Sequence, residues 1–340
     1  MKRRKFLTGS FMSLGATMLL PSGLPYENTG EESLSVEPSK KPKLRFGVCA
    51  DIHLDVMPDG EKRLQAFIDD MNRVKPDFII QMGDFGSPHD KNIPYVNLFK
   101  SFNGPAYHVI GNHDTDYGFS HQQVVEFWKS QGIYYSFDMN GYHVVVLNGN
   151  DRPQGDTSKW PSYIGTVQSE WLEKDLAATN LPVLVFCHQG LDVNVPGAIQ
   201  HSSRVRVLFE RANKAAGWLK VQAVFSGHHH QDYHNIVNSI NYIQINSMSY
   251  YWMGSQYRRY RYSEDIDKKY PLVKDTAPYK DPIWAVVDIY ANGEYHIKGR
   301  RTEFLSPSPA EMGMREFEKV YPVVPVISDR KFKVSKYGKS

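Results

Sequence analysis

The feature that most constrains this chain is a set of five short polar stretches, each placed just after an apolar run. The apolar runs have the length and composition of buried β-strands and occupy residues 44–49, 78–82, 106–110, 182–187 and 221–225. The polar stretches that follow are Asp51-Ile52-His53, Gly83-Asp84, Gly111-Asn112-His113-Asp114, His188 and Gly227-His228-His229-His230. Because loops at strand ends of α/β sheets collect ligands and catalytic groups, we expect these side chains to lie together.

The side chains in these stretches are ones that bind transition metals. Carboxylates, an amide oxygen and imidazoles form the mixture that Mn, Fe and Zn accept, and here they provide ligands for two adjacent ions. Taken singly, each has an ordinary explanation, since a lone Asp after a strand usually caps a turn and a lone His is usually surface or hydrogen-bonded core. Their joint occurrence at five strand ends predicts a metalloenzyme.

Spacing within two of the stretches adds a prediction about direction. Asp51 and His53 are two residues apart, so in an extended chain their side chains point to the same side. His228 and His230 have the same spacing, which leaves His229 pointing elsewhere. We therefore expect His229 to have a supporting or surface role and not to bind metal.

The rest of the pattern alternates strand and helix. Helical spacing predicts helices near 60–74, 93–102, 167–178 and 204–216, with a further helix capped by Ser120. Asn140-Gly141 predicts a hairpin between strands at 133–137 and 142–147. Later runs at 240–245, 283–290 and 295–299 indicate a mainly antiparallel sheet, with an irregular segment at 250–282 between them. The early βαβ units predict one sheet and the later hairpins a second sheet facing it, with helices outside.

The order D-x-H, G-D, G-N-H-D, H, G-H-x-H resembles that of the calcineurin-like metallophosphoesterase superfamily, over roughly residues 44–247. The resemblance implies an α/β fold, a four-layer αββα sandwich of two packed mixed β-sheets flanked by helices. It also implies two divalent transition metal ions, Mn, Fe or Zn. The implied ligands are Asp51, His53 and His230 for the first ion, Asn112, His188 and His228 for the second, and Asp84 as a bridge.

The chemistry expected of such a site is phosphoester hydrolysis. Two cations about 3.5–4 Å apart can hold a hydroxide and a phosphoryl oxygen together. His113 adjoins the implied ligand Asn112 without being a ligand itself, so it is the natural general acid. Asp114 is expected to hold that imidazole in position. A ferric–tyrosinate centre, as in the purple acid phosphatases of this superfamily, is not expected because His53 is present and no tyrosine follows Gly83-Asp84.

We interpret the chain as a binuclear metal-dependent phosphohydrolase that cleaves phosphomonoester or phosphodiester bonds by metal-activated hydroxide. Tyr250, Tyr251 and Trp252 could stack on a ring, which favours a small nucleotide-like phosphoester over nucleic acid. The basic aromatic run 257–262 could bind phosphodiester chains, although nearby acids favour a surface loop. The alternatives are a non-catalytic, metal-stabilised binding or scaffold protein, and a nuclease. The sequence indicates no oligomeric state.

Residues 1–23 have the pattern of an export signal, a basic head followed by a weakly apolar stretch too short for an ordinary membrane span. Arg3-Arg4 followed by Lys5-Phe6-Leu7 resembles a bacterial twin-arginine signal, and a general secretory signal is the alternative. No cleavage site is clear, so an N-terminal membrane anchor is a further alternative. We expect an exported protein, periplasmic or extracytoplasmic.

The remaining organisation follows from composition. After the signal we expect a polar linker at 24–42, a metallophosphoesterase domain at 43–305 and a C-terminal extension at 306–340 packed on it. The formal net charge of +3 comes from the four basic residues of the signal, so the rest is near neutral and has no general attraction to nucleic acid. Cys49 and Cys187 fall in predicted strands, where two core thiols are favoured over a single disulfide.

Overall fold

The computed structural model describes residues 41–192, 195–315 and 321–334. Its helices are α1 (Gly60–Val74), α2 (Ile93–Phe99), α3 (His121–Trp128), α4 (Thr166–Ala178), α5 (Ser202–Ala216) and α6 (Glu264–Lys269). Its strands are β1 (Leu44–Cys49), β2 (Phe78–Gln81), β3 (Ala106–His108), β4 (Tyr135–Met139), β5 (Tyr142–Leu147), β6 (Val183–Cys187), β7 (Val221–Ser226), β8 (Tyr233–Val237), β9 (Ile240–Gln244), β10 (Tyr250–Trp252), β11 (Thr276–Pro278), β12 (Ala285–Ile289), β13 (Glu294–Lys298) and β14 (Arg330–Lys333).

The first sheet has the order β14-β13-β12-β1-β2-β3. β1, β2 and β3 run parallel, whereas β12 pairs antiparallel with the other edge of β1. The predicted late hairpin exists as β12–β13, but the prediction that it belongs to the second sheet is wrong. The reason is that β2 pairs with only one edge of β1, so the other edge of β1 can pair with a strand from much later in the chain. The spacing within a hairpin does not show which strand the hairpin will pair with.

The second sheet has the order β4-β5-β6-β7-β9-β8 and is built by the middle of the chain. Its inner pairs from β5 to β9 are parallel, and antiparallel strands close both edges. The β4–β5 hairpin turns at Asn140 and Gly141, whose φ values of 48° and 74° are those of the tight turn that Asn-Gly favours. The predicted hairpin is confirmed, with β4 starting two residues later than expected.

The two sheets pack face to face around an aromatic core. The ring of Phe46 on β1 lies 5.1 Å from that of Phe78 and contacts Phe186 and Phe225 of the second sheet at 5.5 and 5.4 Å. Helices α1, α2 and α3 cover the outer face of the first sheet, and α4 and α5 cover that of the second. Because each sheet buries both faces, the result is the expected four-layer αββα sandwich.

The helices form where apolar spacing and caps predict them. In α1, Leu64, Phe67, Ile68 and Met71 are buried on one face. Ser120 caps α3 through a capping box with Gln123, as expected. The helix predicted at 93–102 ends earlier, at Phe99.

The segment expected to be irregular, 250–282, holds the β10–β11 pair, the short α6 and two 3₁₀ turns. Near the end of the chain, β14 pairs with β13. Cys49 and Cys187 are buried free thiols.

Two predictions lie outside the described residues, namely the export signal at 1–23 and nearly all of the linker at 24–42. Within the described ranges, no helix is long and apolar enough to span a membrane.

Candidate metal centre

The five polar stretches converge where the parallel strands of both sheets end. Asp51 and His53 follow β1, Asp84 follows β2, and Asn112 follows β3 by four residues. His188 follows β6 directly, and the run 228–230 comes after β7. Two groups of three potential metal ligands result, Asp51 with His53 and His230, and Asp84 with His188 and His228.

The first group has the spacing of atoms that share one ion. Nε2 of His230 lies 3.2 Å from Oδ1 of Asp51 and 3.3 Å from Nε2 of His53. Ligand atoms bound at about 2.0–2.2 Å from one metal are roughly 3.0–3.5 Å apart, which matches these two separations. The third, between Oδ1 of Asp51 and Nε2 of His53, is 3.9 Å. All three side chains are buried. A bound cation would compensate for the water that the Asp51 carboxylate no longer contacts.

The second group has the same character. Nε2 of His188 lies 3.2 Å from Nδ1 of His228 and 3.2 Å from Oδ2 of Asp84. Oδ1 of Asn112 is buried and has no hydrogen-bond partner among the described residues. A buried amide oxygen without a partner is costly unless a cation faces it, so this atom fits a metal ligand.

Asp84 stands between the two groups. Its Oδ2 lies 3.5 Å from Nε2 of His53 in the first group and 3.2 Å from Nε2 of His188 in the second. Its Oδ1 accepts the backbone N–H of His113 at 2.8 Å. One carboxylate can therefore reach both candidate ions, as expected of a bridge.

The ligand loops are held in unusual backbone conformations. Positive φ values occur at Asp51, His53, Asp84, His228 and His230, all between 50° and 72°. Such left-handed conformations are uncommon outside glycine and cluster at functional sites. The pairs at 51/53 and 228/230 therefore do not converge by the extended-chain alternation expected from spacing. The left-handed backbone conformations set the directions of these side chains. His228 belongs to the second ligand group and His230 to the first.

Two glycines permit this close approach of loops. Gly83 has φ 99°, and a Cβ there would collide with the ring of His188 and the backbone of Gly111. A Cβ at Gly111 would collide with Asp84. The motif glycines therefore allow the Asp84 and Asn112 loops to touch.

Backbone carbonyls orient the imidazoles. Nδ1 of His188 donates to the carbonyl of Met82 at 2.7 Å, and Nδ1 of His230 donates to that of Tyr250 at 2.8 Å. With the proton on Nδ1, Nε2 carries the lone pair that a metal needs.

The buried carboxylates and imidazoles of the cluster shift one another's pKa values. Burial lowers the pKa of His188, but Asp84 and Asp51 outweigh it and raise this pKa to about 9. Burial raises the pKa of Asp84, yet His188 and His113 hold it well below its ordinary value. Two ionised carboxylates in a buried pocket draw in positive charge, which a proton or a divalent cation can supply.

The predicted role of Asp114 is wrong. Its Oδ2 accepts the backbone N–H groups of Asp84 and Gly111 at 2.9 and 2.7 Å, and its Oδ1 accepts that of Gly86 at 2.9 Å. This carboxylate is fully buried and ties two ligand loops together. The described hydrogen bonds of the Asp114 carboxylate are all with backbone N–H groups of Asp84, Gly86 and Gly111, and none is with His113.

Asp116 takes the place expected of Asp114. Nδ1 of His113 lies 2.7 Å from Oδ2 of Asp116. Residues from Asn112 onward make 3₁₀ turns, which bring positions i and i+3 to the same side. Recognising a 3₁₀ turn in the sequence would have pointed to Asp116. Burial lowers the pKa of His113, but Asp84 and Asp116 raise it above its ordinary value.

A cavity of about 600 Å³ opens onto both groups. Its lining includes Asn112 and His113 together with Tyr250, Tyr251 and Trp252, the three aromatic residues expected near a substrate. His229 is in the wall and belongs to neither ligand group. Lys159 and Trp160 also line the cavity, and sequence reasoning missed both because they follow no motif.

The three aromatic residues have different surroundings. The ring of Tyr250 is fully buried, 5.1 Å from that of His53 and 4.9 Å from that of His230. Tyr251 is buried in the core between the sheets. Trp252 alone is 44% exposed, so it is the member able to stack on a ligand.

The basic aromatic run 257–262 contributes no residue to the described cavity wall. Arg258 pairs with Asp275 at 2.6 Å, and Arg261 donates to the carbonyls of Thr276 and Pro307. These arginines hold their own surface region together, which supports the surface-loop interpretation.

Comparison with known proteins agrees with this geometry. Residues 44–232 match the family model described as calcineurin-like phosphoesterase, and the chain belongs to this family. It is a hydrolase acting on phosphoester bonds. A manganese-dependent ADP-ribose/CDP-alcohol diphosphatase from Arabidopsis thaliana is 25% identical over 258 residues, covering 57% of this chain and 82% of the relative.

Solved structures share the fold. A dimetal phosphatase from Danio rerio superposes with a TM-score of 0.57 at 14% identity, covering 87% of this chain and 100% of that one. GAP50, the anchor in the inner membrane complex of Plasmodium, superposes with a TM-score of 0.51 at 15% identity, covering 87% and 90%. At these identities the likeness concerns the fold alone.

Proposed function

We propose that this protein is a two-metal phosphohydrolase acting on a small nucleotide-like substrate. The observation that carries the proposal is the position of Asp84 Oδ2, within 3.5 Å of a ligand nitrogen in each of two buried groups. Both groups open onto a cavity of about 600 Å³, a volume suited to a nucleotide.

The ligand set fits two divalent ions of the Mn, Fe or Zn type. Asp51, His53 and His230 would hold one ion, and Asn112, His188 and His228 the other, with Asp84 shared. When bound, the ions supply an activated water and neutralise charge on the phosphoryl oxygens. The partnerless Oδ1 of Asn112 is the atom that most needs such an ion.

The protein's own contribution to the reaction centres on proton transfer to the leaving group. His113 borders the cavity with its ring 5.4 Å from that of the ligand residue His53, where it can donate a proton from Nε2 to the departing oxygen. Asp116 accepts from Nδ1 and so keeps the ring in the orientation that presents Nε2. Its negative charge also stabilises the imidazolium form before transfer.

Two features favour a substrate that carries a ring and a diphosphate. Trp252 presents an exposed aromatic side chain to the cavity, and base–aromatic stacking contributes about 1–3 kcal/mol. The Arabidopsis relative is described as acting on ADP-ribose and CDP-alcohols, in which a nucleoside is joined through a diphosphate. We therefore extend the proposed substrates from simple phosphoesters to nucleoside diphosphate esters.

The two alternatives are less well supported. A scaffold protein on this fold would need neither a proton donor beside the ligands nor a carboxylate to orient it, and both are present. A nuclease would be expected to line the cavity with basic residues, but the 257–262 run lies elsewhere.

A substrate panel tests the proposal. Chelator-treated protein, reloaded with Mn²⁺, is assayed with an aryl phosphomonoester, a bis-aryl phosphodiester, ADP-ribose and a CDP-alcohol. We expect metal-dependent hydrolysis, with the highest kcat/KM on the nucleoside diphosphate esters. The absence of hydrolysis on all four with Mn²⁺, Zn²⁺ and Fe²⁺ would contradict the proposed function. Equal kcat/KM for aryl and nucleotide substrates would contradict the nucleotide preference.

A further inference from the structure

Residues 151–162 form a loop that contains none of the five polar stretches, here called the Trp160 loop. The chain leaves the second sheet after β5 and re-enters the fold just before α4. A bridge between Asn150 and Tyr163 closes the base, where Asp151 N–H donates to the Tyr163 carbonyl at 3.0 Å. A loop with joined ends and a projecting tip is a common carrier of binding residues.

The tip of the loop is fastened to the proton-donor pair. Nε1 of Trp160 donates to Oδ1 of Asp116 at 3.0 Å, while the other oxygen of Asp116 faces His113. The ring centroids of Trp160 and His113 are 4.7 Å apart. Trp160 nevertheless remains 42% exposed, so part of its ring is open to a ligand.

The same tip places the positively charged side chain of Lys159 in the cavity wall. Lys159 is the only Lys or Arg among the residues that line the cavity in the described structure. Its Nζ lies 4.0 Å from the centroid of the Trp160 ring, and its charge helps to lower the pKa of Asp116 without a described ion pair between the two. An exposed ammonium that no close ion pair holds can bind the phosphate of a ligand.

Position decides which part of a substrate this loop would meet. His113 gives its proton to the departing oxygen, so groups beside His113 face the leaving group. The Trp160 loop contacts His113 by its ring and through Asp116, so it borders the leaving-group side. Trp252 lines the same cavity.

We propose that the Trp160 loop is the leaving-group subsite, in which Lys159 pairs with a second phosphate and Trp160 stacks on the attached ring. The inference rests on the proposed function and specifies the leaving group as a nucleoside monophosphate. Water adds to the attacked phosphorus, the bond from phosphorus to the bridging oxygen breaks, and that oxygen takes the proton of His113. The proton lost by the attacking water restores His113.

The kinetic test compares a substrate with a second phosphate to one without. ADP-ribose and a bis-aryl phosphodiester are assayed with wild type, Lys159→Met and Trp160→Ala, with Lys174→Met on the exposed face of α4 as the matched control. We expect Lys159→Met to raise KM for ADP-ribose about tenfold more than KM for the diester, a difference of about 1.4 kcal/mol. Equal changes in both KM values, or none, would overturn the proposal.

A second variant separates stacking from the tether. Trp160→Phe keeps an aromatic ring but removes the Nε1–H donor to Asp116. We expect it to keep the KM for ADP-ribose near that of wild type and to lower kcat, whereas Trp160→Ala raises KM. If Phe and Ala raise KM equally, the ring does not stack on the substrate.

A binding measurement keeps the inference independent of turnover. AMP, the expected leaving product, is titrated into wild type and Lys159→Met by calorimetry. About tenfold weaker binding by the variant supports the subsite, and equal affinity overturns it. If wild type hydrolyses neither substrate, the proposed function fails while the AMP titration still decides the role of the loop.

Discussion

Nδ1 of His113 lies 2.7 Å from Oδ2 of Asp116, and the second oxygen of the same carboxylate accepts the indole N–H of Trp160. Asp116 is therefore fixed from two sides. A carboxylate held in this way fixes the orientation of the imidazole and favours its protonated form, so Nε2 is left to carry the transferable proton. The orientation of His113 is therefore set by Asp116 in its own loop and, through Asp116, by Trp160 in the Trp160 loop.

The first prediction concerns proton donation. His113→Ala removes no ligand atom from either group, so metal content should stay unchanged. Turnover of esters with poor leaving groups should fall roughly 10²–10⁴-fold, because the departing oxygen then lacks a proton. Esters of acidic phenols need less protonation and should show a smaller loss in kcat. Equal losses on both kinds of ester would exclude a general-acid role.

The second prediction contrasts two neighbouring carboxylates by thermal and denaturant unfolding. Asp114→Ala leaves three buried backbone N–H groups without an acceptor, each costing about 1–3 kcal/mol. We expect the free energy of unfolding to fall by at least about 3 kcal/mol. Asp116→Ala is the matched control, since Asp116 is more exposed and accepts only from side chains. Similar losses of stability in the two variants would contradict these separate roles.

The third prediction separates the aromatic residues after β9. Trp252→Ala should raise KM for nucleotide esters by roughly tenfold or more, with little change for a small aryl phosphate. Because Trp252 is 44% exposed, the melting temperature of the Trp252→Ala variant should stay close to that of wild type. Tyr251→Ala, in the core between the sheets, should instead lower stability by about 3–5 kcal/mol. A destabilised Trp252→Ala protein with unchanged KM would remove this reason to prefer nucleotides.

The fourth prediction concerns export, which we propose from residues 1–23 alone. Arg3→Lys combined with Arg4→Lys keeps the positive charge but removes the pair typical of the twin-arginine route. The double variant should accumulate in the cytoplasm, measured by cell fractionation, while a general secretory substrate is still exported. Undiminished export would assign the signal to the general secretory route.

The sequence predicted the fold well where local pattern determines structure. The spacing of Leu64, Phe67, Ile68 and Met71 gives the exact face of α1, and Asn140-Gly141 gives the β4–β5 turn. It failed for the partner of the late hairpin, because β12 pairs with β1 across more than 230 residues. Such a pairing depends on which sheet edge is left open, and hydrophobic pattern does not record that.

The candidate site shows the same division. Motif order placed the ligand residues in one region, since strand ends of both sheets meet there. It misassigned Asp114, because distinguishing positions i+1 and i+3 from His113 requires knowing that the chain turns as a 3₁₀ helix. Lys159 and Trp160 reach the cavity only through the path of a long loop, which has no periodic signal.

The most direct test of the two-metal account is a titration of chelator-stripped protein with Mn²⁺, following bound metal and turnover together. For wild type we predict that activity reaches its plateau at about two ions per chain. Asp84→Ala should lose metal and activity together, because one oxygen of Asp84 serves both groups. Asp265→Ala, which removes an exposed acid on α6, is the control and should match wild type. Full activity at one ion per chain, or two tightly bound ions retained by Asp84→Ala, would contradict the account.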